Sequence, residues 1–498
     1  MATEAEILEA RRKHARQLLE RGESLFPARV PRSLDPVPDV VARFEKTEAQ
    51  TLEAERPKVA VAGRIVSIRS FGKATFVVLQ GDGKRLQVWV KRNDVGTERY
   101  DTFCLYEVGD FMWASGALVR TRTGELTVAV EDLGFLAKSY RPLPEKWHGL
   151  VDVEARYRQR YLDLLVNPHA RETAIARSQM VSVLRQVMDE RGFLEVETPI
   201  LQPIYGGANA RPFTTRHNTY QQDLFLRISF ELYLKRLIIG GIDRVYEIGR
   251  DFRNEGVSKK HNPEFTMLEA YQAYADYTDM MDLVEVLVAA AAEKVTGTTQ
   301  LEREGQTVEL APPWPRRSMT ELIFNACKID IEKADRLESL REALAQRPVE
   351  GIDPGAAPSW ARLVDDLFSV VVEPGLIAPT FVLDYPAELS PLAKRCADRP
   401  ALVERFEAFV GGMEIANAFS ELNDPDDQRQ RFDEQARASR QGDEEAHPVD
   451  EDFLRALEYG MPPTGGMGMG IGRLAMILTG ASHLREVKLF PHLRSRDA

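Results

Sequence analysis

Gly249-Arg-Asp-Phe-Arg-Asn-Glu-Gly-Val-Ser-Lys-Lys-His-Asn-Pro-Glu-Phe-Thr-Met-Leu-Glu-Ala-Tyr271 reads as a strand, a charged loop and a second strand. On the second strand the two-residue period puts Phe265, Met267, Glu269 and Tyr271 on one face. That series makes a poor hydrophobic core face. It makes a good binding floor, with a flat ring for a base and a carboxylate and a phenol for a cation. Arg253, Glu255 and His261 border the loop, where a polyphosphate can be clamped. Taken singly, each residue suits a solvated hairpin equally well; the string as a whole points to a site.

Two further segments have the same character. In Gly465-Gly-Met-Gly-Met-Gly-Ile-Gly-Arg473, glycines at 466, 468, 470 and 472 strip one face of a strand of side chains. Something must approach that backbone closely, since glycine otherwise only weakens a strand. Arg473 then opens an apolar helix, and a guanidinium beside a flat surface suits adenine and phosphate. In Phe406-Glu-Ala-Phe-Val-Gly-Gly-Met-Glu-Ile-Ala-Asn-Ala-Phe-Ser-Glu-Leu-Asn423, the residues Asn417, Phe419 and Glu421 share a face. Glu407 and Glu414 add carboxylates suited to Mg²⁺, a hard ion that takes a few protein oxygens beside substrate phosphates. Glu414 has the wrong parity for that face on a regular strand, so a bulge is expected between it and Asn417. Neither G-x-x-x-x-G-K-[ST] nor a G-x-G-x-x-G after a strand occurs, so the common nucleotide folds find no support.

Outward from these motifs the chain divides. Residues 4–21 read as an amphipathic helix, with Ile7, Leu8, Leu18 and Leu19 among Arg11, Arg12, Lys13, Arg16 and Arg21. It is open to RNA contact or to packing on its own protein. Phe26–Pro38 is Pro-rich and reads as a linker. Residues 58–137 show five strand-like runs separated by turn residues, which suits a small barrel of the oligonucleotide-binding type. From about 150 the pattern becomes α+β with a mostly antiparallel sheet, including a largely helical stretch at about 276–372. The organisation expected is therefore 1–57 N-terminal helix and linker, 58–140 barrel, and 150–498 catalytic domain.

The 498 residues exceed one core, and 44% hydrophobic with 29% charged residues is a globular profile. No apolar run is long enough for a bilayer, and no signal core precedes Arg11. Cys104, Cys327 and Cys396 are scattered, which suggests neither disulfides nor zinc. The net charge of −12 argues only against nonspecific coating of nucleic acid. Charges separated by more than about 8 Å hardly sense one another at physiological salt, so a local basic face remains compatible with RNA.

The three motif segments resemble the signature motifs of class II aminoacyl-tRNA synthetases, specifically the bacterial-type lysyl-tRNA synthetase family. Further strings run in the family's order: Gly149-Leu-Val-Asp-Val-Glu-Ala-Arg-Tyr-Arg-Gln-Arg-Tyr-Leu-Asp163, Gly206-Gly-Ala-Asn-Ala-Arg-Pro212, Tyr385-Pro-Ala-Glu-Leu-Ser-Pro-Leu-Ala-Lys394 and Glu458-Tyr-Gly-Met-Pro-Pro-Thr464. The resemblance implies an OB-fold anticodon-binding barrel followed by a class II catalytic domain. The implied activity is that of a lysine–tRNA ligase, which forms lysyl-adenylate from L-lysine and ATP and passes lysine to tRNA(Lys). It also implies a cytoplasmic homodimer with Pro199 at its interface. By resemblance Arg253 and Arg473 are catalytic. Glu255, His261, Asn262 and Phe265 join them around ATP, with Glu407 and Glu414 holding Mg²⁺. Gly207 and Glu231 take the α-ammonium, and Glu269, Tyr271 and Glu421 the ε-ammonium, with Asn417 and Phe419 beside them. Arg69, Phe76, Gln87 and Glu125 face the anticodon, although Phe76 alone would equally suit a core.

Charge alone supports the substrate: an enclosed ammonium without partners costs several kcal/mol, so three bracketing acids select a ligand with two amines. Two departures from the family's pattern stand out. Gly472 replaces an acid before Arg473, which predicts a lost N-cap contact, and Phe230 replaces a proline before Glu231, a bulky change beside the pocket. They leave open a divergent paralogue with altered specificity for lysine analogues or inhibitors. A lysyl transferase with a non-tRNA acceptor is a further alternative, against which the barrel argues.

Overall fold

The computed structural model describes residues 3–30, 33–144, 150–208, 210–303, 305–440 and 448–495; Gly149 and Asn209 of the motifs lie outside them. Its contacts define two compact units, Met1–Arg171 and Glu172–Ala498.

In the first unit apolar alternation closes a barrel. On β1 (Lys58–Phe71), β2 (Ala74–Gly81) and β3 (Lys84–Lys91) every second side chain is buried over most of the strand, including Val77, Leu79, Leu86, Val88 and Val90. With β4 (Phe111–Arg120) and β5 (Leu126–Ala137) they form a closed barrel in the order β1-β2-β3-β5-β4. The Lys138 ammonium, wholly buried, is satisfied by Asp110 at 2.9 Å and by Glu107 at 2.5 Å. The N-terminal helix runs from Glu4 to Glu20 behind a Thr3–Glu6 capping box. It packs on its own unit: Leu18 and Ala15 are buried, and Arg11 donates to the Val108 and Ser139 carbonyls at 2.8 Å each. Leu19, by contrast, is exposed. Two short helices, Val37–Phe44 and Ala49–Glu55, occupy part of the stretch read as linker. The first carries Val37, Val40, Val41 and Phe44 at helical spacing, a short signal set among the prolines of that stretch, whereas the second buries only Leu52.

The second unit is built on an eight-stranded sheet. Its strands and those nearby are β6 (Leu194–Glu195), β7 (Leu201–Gln202), β8 (Thr214–His217), β9 (Gln222–Leu226), β10 (Arg244–Phe252), β11 (Glu264–Ala273), β12 (Gln300–Arg303), β13 (Gln306–Glu309), β14 (Arg316–Ser318), β15 (Thr380–Pro386), β16 (Leu402–Val410), β17 (Met413–Ser420) and β18 (Thr464–Gly470). The sheet order is β14-β15-β16-β17-β18-β11-β10-β6, with β7, β9 and β8 in a small separate sheet. Only the β14–β15 and β10–β6 pairs of the large sheet are parallel.

The side-chain parity of the central strands decides where the site lies. Leu268 and Ala270 of β11, Ala416 and Ala418 of β17, and Met467 and Met469 of β18 point into one core. Helices Tyr277–Thr296 and Ile471–Thr479 cover that face with Val284, Leu287, Val288 and Leu474. The alternate residues therefore face the other way.

Two expectations need correction. The 276–372 stretch holds four helices, but also the β12–β13 hairpin and β14, whose strands of three or four residues are too short to show a two-residue period. The strand expected at Phe193–Thr198 pairs only at Leu194 and Glu195, because Thr198 instead donates from its backbone N–H and its hydroxyl to the Glu247 carboxylate.

Candidate functional site

The face of the sheet turned away from the helical core floors a cavity of about 350 Å³. Register brings the three motif segments together there: Tyr271 and Phe419 both lie opposite Gly466, and Glu269 and Asn417 both lie opposite Gly468. Phe265, Met267, Glu269, Tyr271, Asn417, Phe419 and Gly466 all line the cavity, as do Gly207, Glu231, Arg253, Glu255, His261, Asn262, Glu414 and Arg473. The bare glycine face has a specific use. A Cβ at Gly466 would overlap Glu421 Oε1 and come within 2.5 Å of Tyr271 Cε1.

The bulge expected on β17 is present. Ala408 pairs with Ala416 and Phe409 with Glu414, so Ile415 is the extra residue and Glu414 joins the site side. There Glu414 accepts from the Arg473 guanidinium at 2.9 Å, and its backbone carbonyl accepts at 2.8 Å. Arg473 holds its carboxyl below the ordinary carboxylate range even though burial pushes it up. Arg473 also lies 3.2 Å from the His261 ring, whose other nitrogen meets Ser258 Oγ at 2.8 Å. Burial and then Arg473 lower the His261 pKa, so the imidazole is neutral at pH 7. Arg253 lies over the Phe265 ring at 5.1 Å. Asn262 donates to the Glu264 carbonyl at 2.7 Å while its buried Oδ1 keeps no protein partner. This group offers cations, a ring and a neutral imidazole, the equipment for a nucleotide.

A second group is acidic. Glu269 accepts from Ser229 at 3.1 Å and from the Tyr271 hydroxyl at 3.4 Å. Burial, reinforced by Asp251 and Glu231, pushes its pKa well up. Burial likewise raises Glu231, although the Lys235 ammonium 2.6 Å away opposes it. Glu421 is buried behind Gly466 rather than lining the cavity, because its carboxylate is ion-paired with Lys235. Three acids held in so dry a place favour a cationic ligand, since an ammonium relieves the cost of ionising them.

Glu407 is the other expected residue that does not line the cavity. Tyr385 donates to it at 2.9 Å and Arg405 at 2.6 Å. Burial and the nearby Glu414 push its carboxyl up to about 7. Two mutually repelling carboxylates are a fitting donor set for a divalent cation that also takes phosphate oxygens. Among the described residues no cluster of three or more such ligands occurs.

Both departures prove structurally mild. The N-cap of the helix Ile471–Thr479 is Gly470, not Gly472, and Glu414 and His261 orient Arg473, so the expected loss of a cap contact does not arise. A Cβ at 472 would instead meet Leu484 Cδ1 at 2.6 Å. Phe230 does not line the cavity: it lies under the Arg227 guanidinium, 4.0 Å from its ring centroid, in the apolar cluster behind Tyr271.

In the first unit Arg69 pairs with Phe76 across β1 and β2, and Phe76 with Trp89 across β2 and β3. Phe76 and Trp89 stack at 5.3 Å, and Gln87 accepts from Thr127 at 3.1 Å. Glu125 immediately precedes β5, beside the β3–β5 pairing at Gln87 and Thr127. Trp89, Arg405, Ser229 and Lys235 were not anticipated. Trp89 is two residues from Gln87 on one strand and Lys235 one helical turn from Glu231, so spacing pointed to both. Nothing local pointed to Arg405 or Ser229.

Residues 152–494 match the family model for class II tRNA synthetases (D, K and N), and residues 59–136 that for an OB-fold nucleic acid binding domain. The chain is 53% identical over 494 residues to a lysine–tRNA ligase of Roseiflexus castenholzii, covering 99% of each. It is 51% identical to those of Pelotomaculum thermopropionicum, over 91% of each chain, and Chloroflexus aurantiacus, over 97% of this chain and 96% of the other.

Proposed function

The chain belongs to the class II tRNA synthetases of the D, K and N group, and on that premise we propose how it works as a lysine–tRNA ligase. The observation that carries the reading is one cavity combining a nucleotide-type group around Arg253 and Arg473 with the buried acids Glu231 and Glu269, backed by Glu421 just behind Gly466. Adenine lies between Phe265 and Arg473, with Glu255, His261 and Asn262 around the rest of ATP. Glu231 and the Gly207 backbone take the lysine α-ammonium, and Glu269, Tyr271 and Glu421 the ε-ammonium, with Asn417 and Phe419 alongside.

Activation then needs positioning and electrostatics and no protein nucleophile. The lysine carboxylate attacks the α-phosphorus, pyrophosphate leaves, and Arg253 neutralises the charge that develops on the phosphoryl oxygens. Glu407 and Glu414 would hold Mg²⁺, which supplies positive charge to the phosphates when bound. The terminal ribose hydroxyl of tRNA(Lys) next attacks the carbonyl of the mixed anhydride and AMP departs. In the barrel, 58–140, Phe76 stacks on an anticodon base while Arg69, Gln87 and Glu125 bind base edges or backbone.

A homodimer is supported by exposed Leu194, Ile200, Leu201 and Ile204 around Pro199, an apolar surface suited to a two-fold contact. No helix of the described residues is long and apolar enough to cross a membrane. A tRNA ligase meets tRNA and ATP in the cytoplasm, where this reading places the chain.

Exchange of labelled pyrophosphate into ATP tests the proposal. Lysine supports exchange, ornithine supports it less, and arginine and aspartate do not. Exchange driven by aspartate, or none with lysine, refutes the assignment of the acidic group.

A further inference from the structure

Lys235 sits where a substrate amine is wanted. Its ammonium is 0% exposed, lies 2.6 Å from Glu231 and is ion-paired with Glu421. The Phe419 ring centroid is 5.5 Å away. Glu231 is on Lys235's own helix, while Glu421 follows β17, so one side chain spans two of the three pocket acids. Glu269 and the Tyr271 phenol face the same cluster from β11, Arg405 acts on Glu231 from β16, and Asp251 acts on Glu269 from β10.

We propose that Lys235 is a positioning residue that sets the charge of the amino-acid pocket, holding Glu231 and Glu421 ionised and aimed so that two net negative charges remain for a ligand with two ammonium groups. The inference rests on the lysine-site reading above. Three carboxylates and one internal ammonium leave a charge of −2, with the lysine carboxylate accommodated separately by Arg253. Without Lys235 the same three acids exceed the charge of any doubly aminated ligand by one. The complex would then form only with one acid protonated, because an uncompensated buried carboxylate takes up a proton. Burial raises the pKa values of all three acids, which favours that uptake. Lys235 donates nothing to the reacting atoms; it acts through the carboxylates it touches.

The test compares Lys235→Met, Lys235→Arg, Glu231→Gln and the double variant Lys235→Met/Glu231→Gln with the native chain in lysine-dependent exchange from pH 6.5 to 8.5. In Lys235→Met the KM for lysine rises at least tenfold while that for ATP changes less than threefold. Relative to the native chain, its lysine KM worsens several-fold further as pH rises. Lys235→Arg keeps the charge and shows no such added pH dependence. The double variant restores a charge of −2, so it loses that dependence and its defect is smaller than the product of the two single defects. A folded Lys235→Met with native lysine KM, strict multiplicativity in the double variant, or an added pH slope in Lys235→Arg overturns the inference. If Lys235→Met does not fold, the charge-restored double variant and Lys235→Arg decide by the same pH criterion. Failure of the lysine reading itself shows separately, as absence of lysine-dependent exchange in the native chain.

Discussion

Between Tyr271 and Glu421 there is no room for a methyl group at position 466. Gly466→Ala must push one of them aside, and overpacking of this kind costs about 1–3 kcal/mol. The expected result is a lysine KM raised about tenfold or more, with the ATP KM nearly unchanged; equal losses in both would place the strain elsewhere. Asp251 makes a second prediction at this scale. It is fully buried and without hydrogen-bond partners, and burial pushes its carboxyl up to about 7 against the pull of Arg253 and Arg227. Its pKa in the unfolded chain is near 3.9, so the folded state binds this proton more tightly. The stability the group contributes is fully present below about pH 4 and is lost as pH rises towards 7. Asp251→Asn does not share that loss. Its melting temperature relative to the native chain therefore climbs by a few degrees between pH 5 and 8. A gap that stays flat across that range would show that Asp251 ionises without cost. The identities of Glu269, Tyr271, Asn417 and Gly466 were legible as site residues because each spoils a core face. Asp251 carried no such mark.

Parity was the most informative signal at the level of single elements. Glu414 and Asn417 are three residues apart, and the mismatch alone required an irregularity, which Ile415 supplies. The N-terminal helix shows the opposite case, since its arginines read equally well as RNA contacts or as packing groups. Arg11 settles its own part by donating to three carbonyls of its unit, those of Val108, Ser139 and Arg141, while Arg12 and Lys13 remain exposed. Arg11→Met leaves those acceptors unsatisfied at a cost of about 1–3 kcal/mol. Limited proteolysis should then cut faster after the helix, with lysine-dependent exchange unchanged. Unchanged proteolysis with weaker tRNA binding would instead make Arg11 an RNA contact.

At the scale of the molecule, the barrel and the cavity belong to different compact units, each with its own core. Phe76→Ala removes a stacking platform worth about 1–3 kcal/mol per base. The KM for tRNA in aminoacylation should rise roughly tenfold or more, while exchange of pyrophosphate stays native. A loss in exchange as large as that in charging would contradict the assignment of anticodon binding to the barrel. The stack of Phe76 on Trp89 also shows why a barrel aromatic is ambiguous in sequence: strand alternation says which residues share a face, not which face is inside.

The five-stranded barrel, the mostly antiparallel sheet and the three motif faces were determined by the sequence, because alternation and glycine placement are local properties of a strand. Register between distant strands was decided only in three dimensions. It sets Tyr271 and Phe419 against Gly466 and carries Lys235 to Glu421, 186 positions along the chain from it. Ionisation was decided there too, since the pKa of a buried acid depends on neighbours and on lost water that no single segment contains.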